Sequence, residues 1–244
     1  GQGLGARLRS LGAAARVAAC DSAGARDVGS LRGGGWAVGI VHAAGAGDKG
    51  LLSQLDARRV RWMYAAKAWG AWHVQSASAA SALEACVLFS SVGSGLGNVG
   101  QASYAAANAC LDAHALRRRS AGAAACGVQW PLVGGAGMGA AAYAAASERR
   151  VSMVGLGGIS LEEYAACLGG QLAACAGARL SVQLAHRREV GEVVRDLADA
   201  SQARFGELRG ARAAAAGAAP GRAPGVGGAL SEALAARAPA QRLA

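Results

Sequence analysis

The 244-residue chain reads as an α/β protein, a parallel sheet with helices on both faces. Short apolar runs alternate with helical segments at the spacing that parallel strands require, and 53% apolar content is enough to build a core. A third observation is placement. Asp21, Gly45, Ser91 and the loop after Trp130 all fall at the carboxyl ends of expected strands, where such sheets bind ligands.

Taken in order, Ala6–Ala14 suits the end of an amphipathic helix, and Ala15–Cys20 a short buried strand closing on Asp21. A polar, glycine-rich stretch follows. Trp36–Val41 reads as a second strand ending at His42-Ala43-Ala44-Gly45, and residues 51–80 as a long helical segment. Cys86–Phe89 is a third strand, Ser91–Gln101 a glycine-rich loop, Ala102–Arg119 a helix, and Cys126–Trp130 a fourth strand with a loop running to Met138. The pattern places a folded domain over residues 1–190 and a linker or tail over 191–244. From Arg209 onward Ala, Gly, Arg and Pro dominate, with Pro220, Pro224 and Pro239 spaced along the stretch.

Composition excludes several classes. The formal charge of +10 comes from basic residues scattered singly or in short clusters; the densest, Arg117-Arg118-Arg119, is expected on a solvated helix end. A nucleic-acid surface needs basic residues interleaved with exposed aromatics, and Phe and Tyr are scarce. The six cysteines (Cys20, Cys86, Cys110, Cys126, Cys167, Cys175) form no C-x-x-C pair and have no histidine at metal-ligand spacing, so reduced thiols and a cytoplasmic location are expected, with no metal. The uncharged run between Glu84 and Asp112 is broken throughout by Ser, Gly, Asn and Gln, and reads as strand, loop and helix start rather than a membrane span. No signal peptide is evident, and a chain beginning Gly-Gln is expected to be a piece of a longer polypeptide.

Four residues point to carbonyl reduction. A phenol donates a proton to a carbonyl under reduction when a nearby cation favours its anion and a hydrogen-bond donor holds the carbonyl oxygen. Tyr104 is the phenol, and Lys67 and Ser91 meet those two needs. Lys67 falls at the edge of an apolar stripe formed by Leu52, Leu55, Met63, Ala66, Gly70 and Val74. It is one of two lysines among 25 basic residues, which suggests that a compact ammonium is required there; from the helix alone, a snorkelling surface lysine is an equal alternative. Asn108, one of two asparagines, sits mid-helix on the face of Tyr104, one turn along.

The motifs Phe89-Ser90-Ser91-Val92, Gly100-Gln101-Ala102-Ser103-Tyr104-Ala105-Ala106-Ala107-Asn108, Val41-His42-Ala43-Ala44-Gly45 and Ala18-Ala19-Cys20-Asp21 together closely resemble the ketoreductase domain of type I polyketide synthases, a branch of the short-chain dehydrogenase/reductase family. The resemblance covers roughly residues 6–185. It implies a Rossmann-like fold in which NADPH delivers a hydride to the 3-keto group of a thioester held on an acyl carrier protein, inside a multidomain synthase, with the tail expected to lead toward an acyl carrier domain. In that scheme Tyr104 donates the proton, Ser91 bonds the carbonyl oxygen, and Lys67 lowers the tyrosine pKa and binds the nicotinamide ribose. Asn108, in the slot where most other family branches have a lysine, positions Lys67 and a relay water. Asp21 approaches the adenine, and Ala44 with Gly45 lines the cofactor cleft.

The chain also departs from the family. No strand followed by G-x-G-x-x-G precedes Asp21; Gly1-Gln2-Gly3-Leu4-Gly5 has no strand before it and lies too close. The first β-α-β unit is therefore expected to be missing, with a sheet edge left exposed. The Leu-Asp-Asp stereochemical marker aligns with Gly47-Asp48-Lys49, the opposite marker tryptophan with Leu96, and the substrate-mouth run appears as Gln129-Trp130-Pro131-Leu132-Val133, with Gly137-Met138 still matching. Product configuration stays open. The competing expectation is a truncated, non-catalytic remnant serving as a structural or docking module.

Overall fold

The structure, a computed structural model, describes residues 4–15, 17–31, 37–79, 81–97, 100–135, 137, 139–140, 158–174, 182–184, 192–194, 197 and 199–210. Gly1–Gly3, Trp36, Met138, Cys175 and the three tail prolines lie outside them. The chain divides into two compact units, Gly1–Arg188 with Asp196–Ala198, and Glu189–Arg195 with Asp199–Ala244. In the second unit a 3-10 turn, Ala203–Phe205, is held by the Arg209 guanidinium donating to the carbonyls of Ala200 and Gln202.

The first unit contains helices α1 (Leu4–Ser10) and α2 (Ala25–Ser30) and strand β1 (Gly39–His42). A 3-10 turn at Leu52–Gln54 leads into α3 (Ala57–Tyr64) and α4 (Gly70–Ala77). Then come β2 (Ala85–Ser91), α5 (Val92–Leu96), α6 (Ala102–Ser120), β3 (Cys126–Trp130), α7 (Leu161–Ala174) and β4 (Val182–Leu184). The four strands form one parallel sheet in the order β1-β2-β3-β4, with Val41 beside Val87 and Ser91 beside Trp130 in register.

Central parallel strands are covered on both sides and so read as apolar runs, as β2 and β3 do. Alternation along β2 sends Cys86 and Leu88 to one face, against Ala71 of α4 and Leu111 and Ala115 of α6. Val87 goes to the other, with Cys126, Val128 and the α7 residues Tyr164, Cys167 and Leu168. Helices therefore pack on both faces, as expected. Neither α7 nor β4 was anticipated as a separate element.

The expected strand at Ala15–Cys20 is not formed: Ala15 and Val17–Cys20 are irregular, and Val17 is 80% exposed. An extended segment becomes a strand only when a neighbour takes up its N–H and C=O groups, and no described segment pairs with it. β1 forms an edge of the described sheet, with Val41 46% exposed. Two short helices were also missed. α2 lies in the glycine-rich stretch and α5 inside the expected Ser91–Gln101 loop; at six and five residues they are too short for periodicity to show. Arg118 corrects the picture of a solvated arginine cluster, being only 9% exposed, while Arg117 stacks on Trp72 at 5.4 Å.

The long helical segment is interrupted by one turn of π-helix, Ala65–Trp69, between α3 and α4. The extra residue re-phases the apolar stripe. Leu52 is 78% exposed and outside it, while Met63, Lys67, Gly70 and Ala71 form the buried face. Lys67 thus sits at the centre of the face rather than at its edge. Position 70 is a close approach: a Cβ there would lie 2.7 Å from Ser22 Oγ and 3.0 Å from His42 Cε1, so a larger residue would have to displace those side chains.

Candidate active site

Ser91 is both the last residue of β2 and the cap of α5. Its extended backbone ends the strand, and its Oγ accepts the Gly93 N–H at 3.2 Å. Tyr104 stands in the first turn of α6, packed with Tyr64 and Ala66 on the cluster of Ala46, Met63 and Ala107. The π-turn brings Lys67 in from the opposite side. Its Nζ donates to the Phe89 carbonyl at 3.0 Å and lies 5.6 Å from the centre of the Tyr104 ring. At 3% exposure, Lys67 is no snorkelling lysine. Burial pulls its pKa down to about 8, with Asp112 opposing the shift.

Asn108 is fully buried behind the tyrosine. Its Nδ2 donates to the Tyr104 carbonyl at 2.8 Å, and its Oδ1 is buried with no hydrogen-bond partner. An amide oxygen held so asks for a donor, either a water or an ammonium.

Lys67, Ser91 and Tyr104 open onto one cleft of about 670 Å³, together with Gly45. One wall is aromatic, with Phe89 5.3 Å and Tyr164 4.5 Å from Trp130, ring centre to ring centre; Pro131 and Leu132 continue the lining beyond the strand end. Across the cleft, the loop after β1 is pinned by Asp48, whose carboxylate accepts from Arg59 at 2.6 Å and from Ser103 at 3.2 Å. The Arg59 guanidinium holds that carboxyl below its usual pKa.

Two of the expected cofactor residues are not brought to the cleft. Ala43 and Gly45 line it while the half-buried Ala44 does not. Asp21 is exposed and away from it, its carboxylate accepting the Ala23 N–H, with Asp27 accepting its own N–H, in a turn that leads into α2. Tyr164 and Leu161, which line the cleft, and Ser94 and Asp112, which are tied to Gln129 of β3, were not anticipated, and Gln101 and Gln129 were read only as members of longer motifs. Asp112 alone had a legible signal. It lies two turns after Tyr104, on the face that carries Asn108.

A parallel α/β sheet in which a tyrosine, a serine and a buried lysine converge at the strand carboxyl ends defines a Rossmann-like protein with a candidate site at that end. The KR domain family matches residues 2–135. The chain belongs to this family, the ketoreductase domains of type I polyketide synthases. It is 43% identical over 172 residues to the spectinabilin polyketide synthase system protein NorB of Streptomyces orinoci, covering 68% of this chain and 8% of that protein. It is 40% identical over 131 residues to the erythronolide synthase EryA2 of Saccharopolyspora erythraea, covering 53% of this chain and 4% of that one. A solved structure of A-type ketoreductases from a modular polyketide synthase aligns with a TM-score of 0.72 at 28% identity, over 86% of this chain and 46% of that one. The first ketoreductase of the tylosin synthase gives 0.67 and 29%, over 84% and 45%. The chain thus spans less than half of either solved ketoreductase and a small fraction of the synthases. Ketoreductase domains of this family use a nicotinamide cofactor. No described helix is long and apolar enough to cross a membrane.

Proposed function

We propose that the chain carries the proton-transfer half of a ketoreductase that reduces the 3-keto group of a 3-ketoacyl thioester, borne by an acyl carrier protein within a polyketide synthase, to the 3-hydroxyacyl thioester. The observation that carries the reading is the π-turn, which places a buried ammonium beside the Tyr104 ring on a cleft shared with Ser91. The residues present fit a nicotinamide: Lys67 and Tyr104 stand at the cleft, Gly45 leaves its wall open, and the orphaned Asn108 oxygen suits a relay water. NADPH, when bound, supplies the hydride that goes to C3.

Ser91 Oγ–H holds the carbonyl oxygen, and the Tyr104 hydroxyl gives that oxygen its proton as the C3–H bond forms. The Lys67 ammonium then stabilises the negative charge left on the phenol oxygen, and a relay water positioned by Asn108 returns the proton to it. The aromatic wall and Leu132 keep bulk water from the reacting carbonyl. A synthase module carrying this segment is expected to convert a 3-ketoacyl thioester and NADPH into the 3-hydroxyacyl thioester and NADP⁺, followed by cofactor absorbance and product mass. Absence of the hydroxy product would overturn the reading.

The exposure of Val41 on β1, an edge of the described sheet, and the lack of a G-x-G-x-x-G turn ahead of it within these 244 residues favour a second reading for the stretch taken by itself, in which it holds the acid but binds the hydride donor weakly. Calorimetric titration of the isolated chain with NADPH is expected to show weak or no binding. Tight binding sinks that second reading.

A further inference from the structure

The loop after β1 supplies one wall of the cleft, through Gly45, Gly47 and Lys49, and the first turn of α6 supplies another, through Tyr104. Neither wall belongs to the sheet, so their spacing must be held by contacts of their own. A proton donor is useful only while that spacing is kept.

Arg59 holds the loop. Asp56 caps α3 by accepting the Arg59 N–H at 2.7 Å, which fixes the arginine in the first turn of that helix. The guanidinium reaches back over the loop: Nη2 donates to Asp48 Oδ1 at 2.6 Å and to the Lys49 carbonyl at 2.7 Å, and Nη1 donates to the Gln54 carbonyl at 2.9 Å. Three acceptors on one planar fork suit arginine and not lysine. Gly50 leaves the fork its room, since a Cβ there would lie 2.8 Å from Nη2 and 2.9 Å from Nη1.

The held loop is joined to α6 at two points. The second carboxylate oxygen of Asp48, Oδ2, accepts from Ser103 Oγ at 3.2 Å, and the Gly50 N–H donates to the Gly100 carbonyl at 2.8 Å. Gly100, at φ +72°, has the left-handed backbone that turns the chain toward the helix. Ser103 is 5% exposed and directly precedes Tyr104. Asp48 therefore gives one oxygen to α3 and the other to the helical turn that carries the proton donor. The first turn of α6 has no acidic residue of its own, so this carboxylate also brings the negative charge that a helix start favours.

From this geometry we infer that Asp48 is a positioning residue for proton transfer, a role that rests on the proposed ketoreductase reading: its carboxylate couples the cleft loop, held by Arg59, to Ser103, and so sets Tyr104 against the loop wall. Arg59 supplies the rigidity and Ser103 the link. Cutting the link lets the phenol drift from the carbonyl it must reach, and small misplacements of reacting groups are costly.

The test separates this coupling from simple support of the loop. Tyrosine labelled with ¹³C at the ring ζ carbon gives four resonances in this chain, from Tyr64, Tyr104, Tyr143 and Tyr164, and Tyr104→Phe identifies the one of interest. Asp48→Ala is expected to move the Tyr104 resonance in the wild-type background and to leave it in place in a Ser103→Ala background, where the link is already cut. A carboxylate that merely supports the loop acts equally in both backgrounds, and that result overturns the inference. In the synthase module, Ser103→Ala leaves the Arg59 pair intact and is expected to lower kcat about three- to tenfold, the fold-change of one hydrogen bond, with KM for the thioester near wild type. Ser103→Thr keeps the hydroxyl and restores most of that loss. These two variants decide the matter should Asp48→Ala misfold: an unchanged kcat in Ser103→Ala, or a fall that Ser103→Thr does not restore, overturns the inference. The resonances need no turnover, so an inactive wild-type module would sink the ketoreductase reading and leave the coupling separately decided.

Discussion

Replacing Tyr104 with phenylalanine is expected to lower turnover of a 3-ketoacyl thioester by about 10²- to 10⁴-fold, the range of a lost general acid, with little change in thermal stability. The ring stays on the cluster of Ala46, Met63 and Ala107 and remains the aromatic face beside the Lys67 ammonium, 5.6 Å from its centre. Only the hydroxyl goes. The carbonyl oxygen keeps Ser91 and loses its proton source, so the fall appears in kcat more than in KM. Steady-state kinetics of wild type and variant in the synthase module, alongside their melting curves, check this. Unchanged turnover would remove Tyr104 from the mechanism, and a fall matched by collapse of the melting transition would assign it to the fold.

Replacing Lys67 with methionine should separate activity from stability. Losing a preorganised charge beside a developing anion costs about 10²- to 10³-fold in kcat. The stability argument has the opposite sign. With its pKa lowered from 10.5 to about 8, Lys67 binds its proton more weakly in the folded chain than in the unfolded one. Below pH 8 both states are protonated and the desolvation cost is present in full. Between pH 8 and 10.5 the unfolded chain still holds the proton that the folded chain has released, so wild-type stability rises with pH through this window. At 1.36 kcal/mol per unit, the cost is about 3 kcal/mol.

Methionine removes that cost but leaves the Phe89 carbonyl without its partner, a loss of about 1–3 kcal/mol. The variant is therefore expected to be as stable as wild type or slightly more so below pH 8, and less stable near pH 10.5. Denaturant titrations at the two ends of the window check it. A variant uniformly less stable than wild type at both ends would mean that the buried ammonium carries no desolvation cost. The kcat/KM of the wild type, which reports the ionisation of the free enzyme, should fall as pH rises through about 8 because the reaction needs the ammonium.

Much of the architecture was legible because its signals are local. β2 and β3 are apolar runs bounded by polar loops, and α6 is a long periodic segment, so their places could be read from pattern. The motif from Gly100 to Asn108 carried the tyrosine and asparagine by order of residues alone. Elements that depend on a neighbour were harder to read. Ala15–Cys20 has a strand's composition but finds no ladder partner, while α2 and α5 exist because single side chains, Asp21, Asp27, Ser91 and Ser94, tie down their first turns.

Sequence by itself determined the fold class, the family and the identity of the four residues brought to the site, because each is encoded in residue type and order. Only tertiary structure decided what Lys67 is. Periodicity assumes a uniform 3.6-residue helix, and one turn of π-helix between α3 and α4 breaks that assumption, rotating the lysine from the edge of the stripe to its buried centre. Tertiary structure likewise decided that Ala44 and Asp21 stay off the cleft, and that Asp112, which the sequence places only on the face of Asn108, gathers α5, α6 and β3 on one carboxylate. Burial and long-range hydrogen bonds depend on which segments meet, and that is set by the packing of the sheet rather than by any local run of residues.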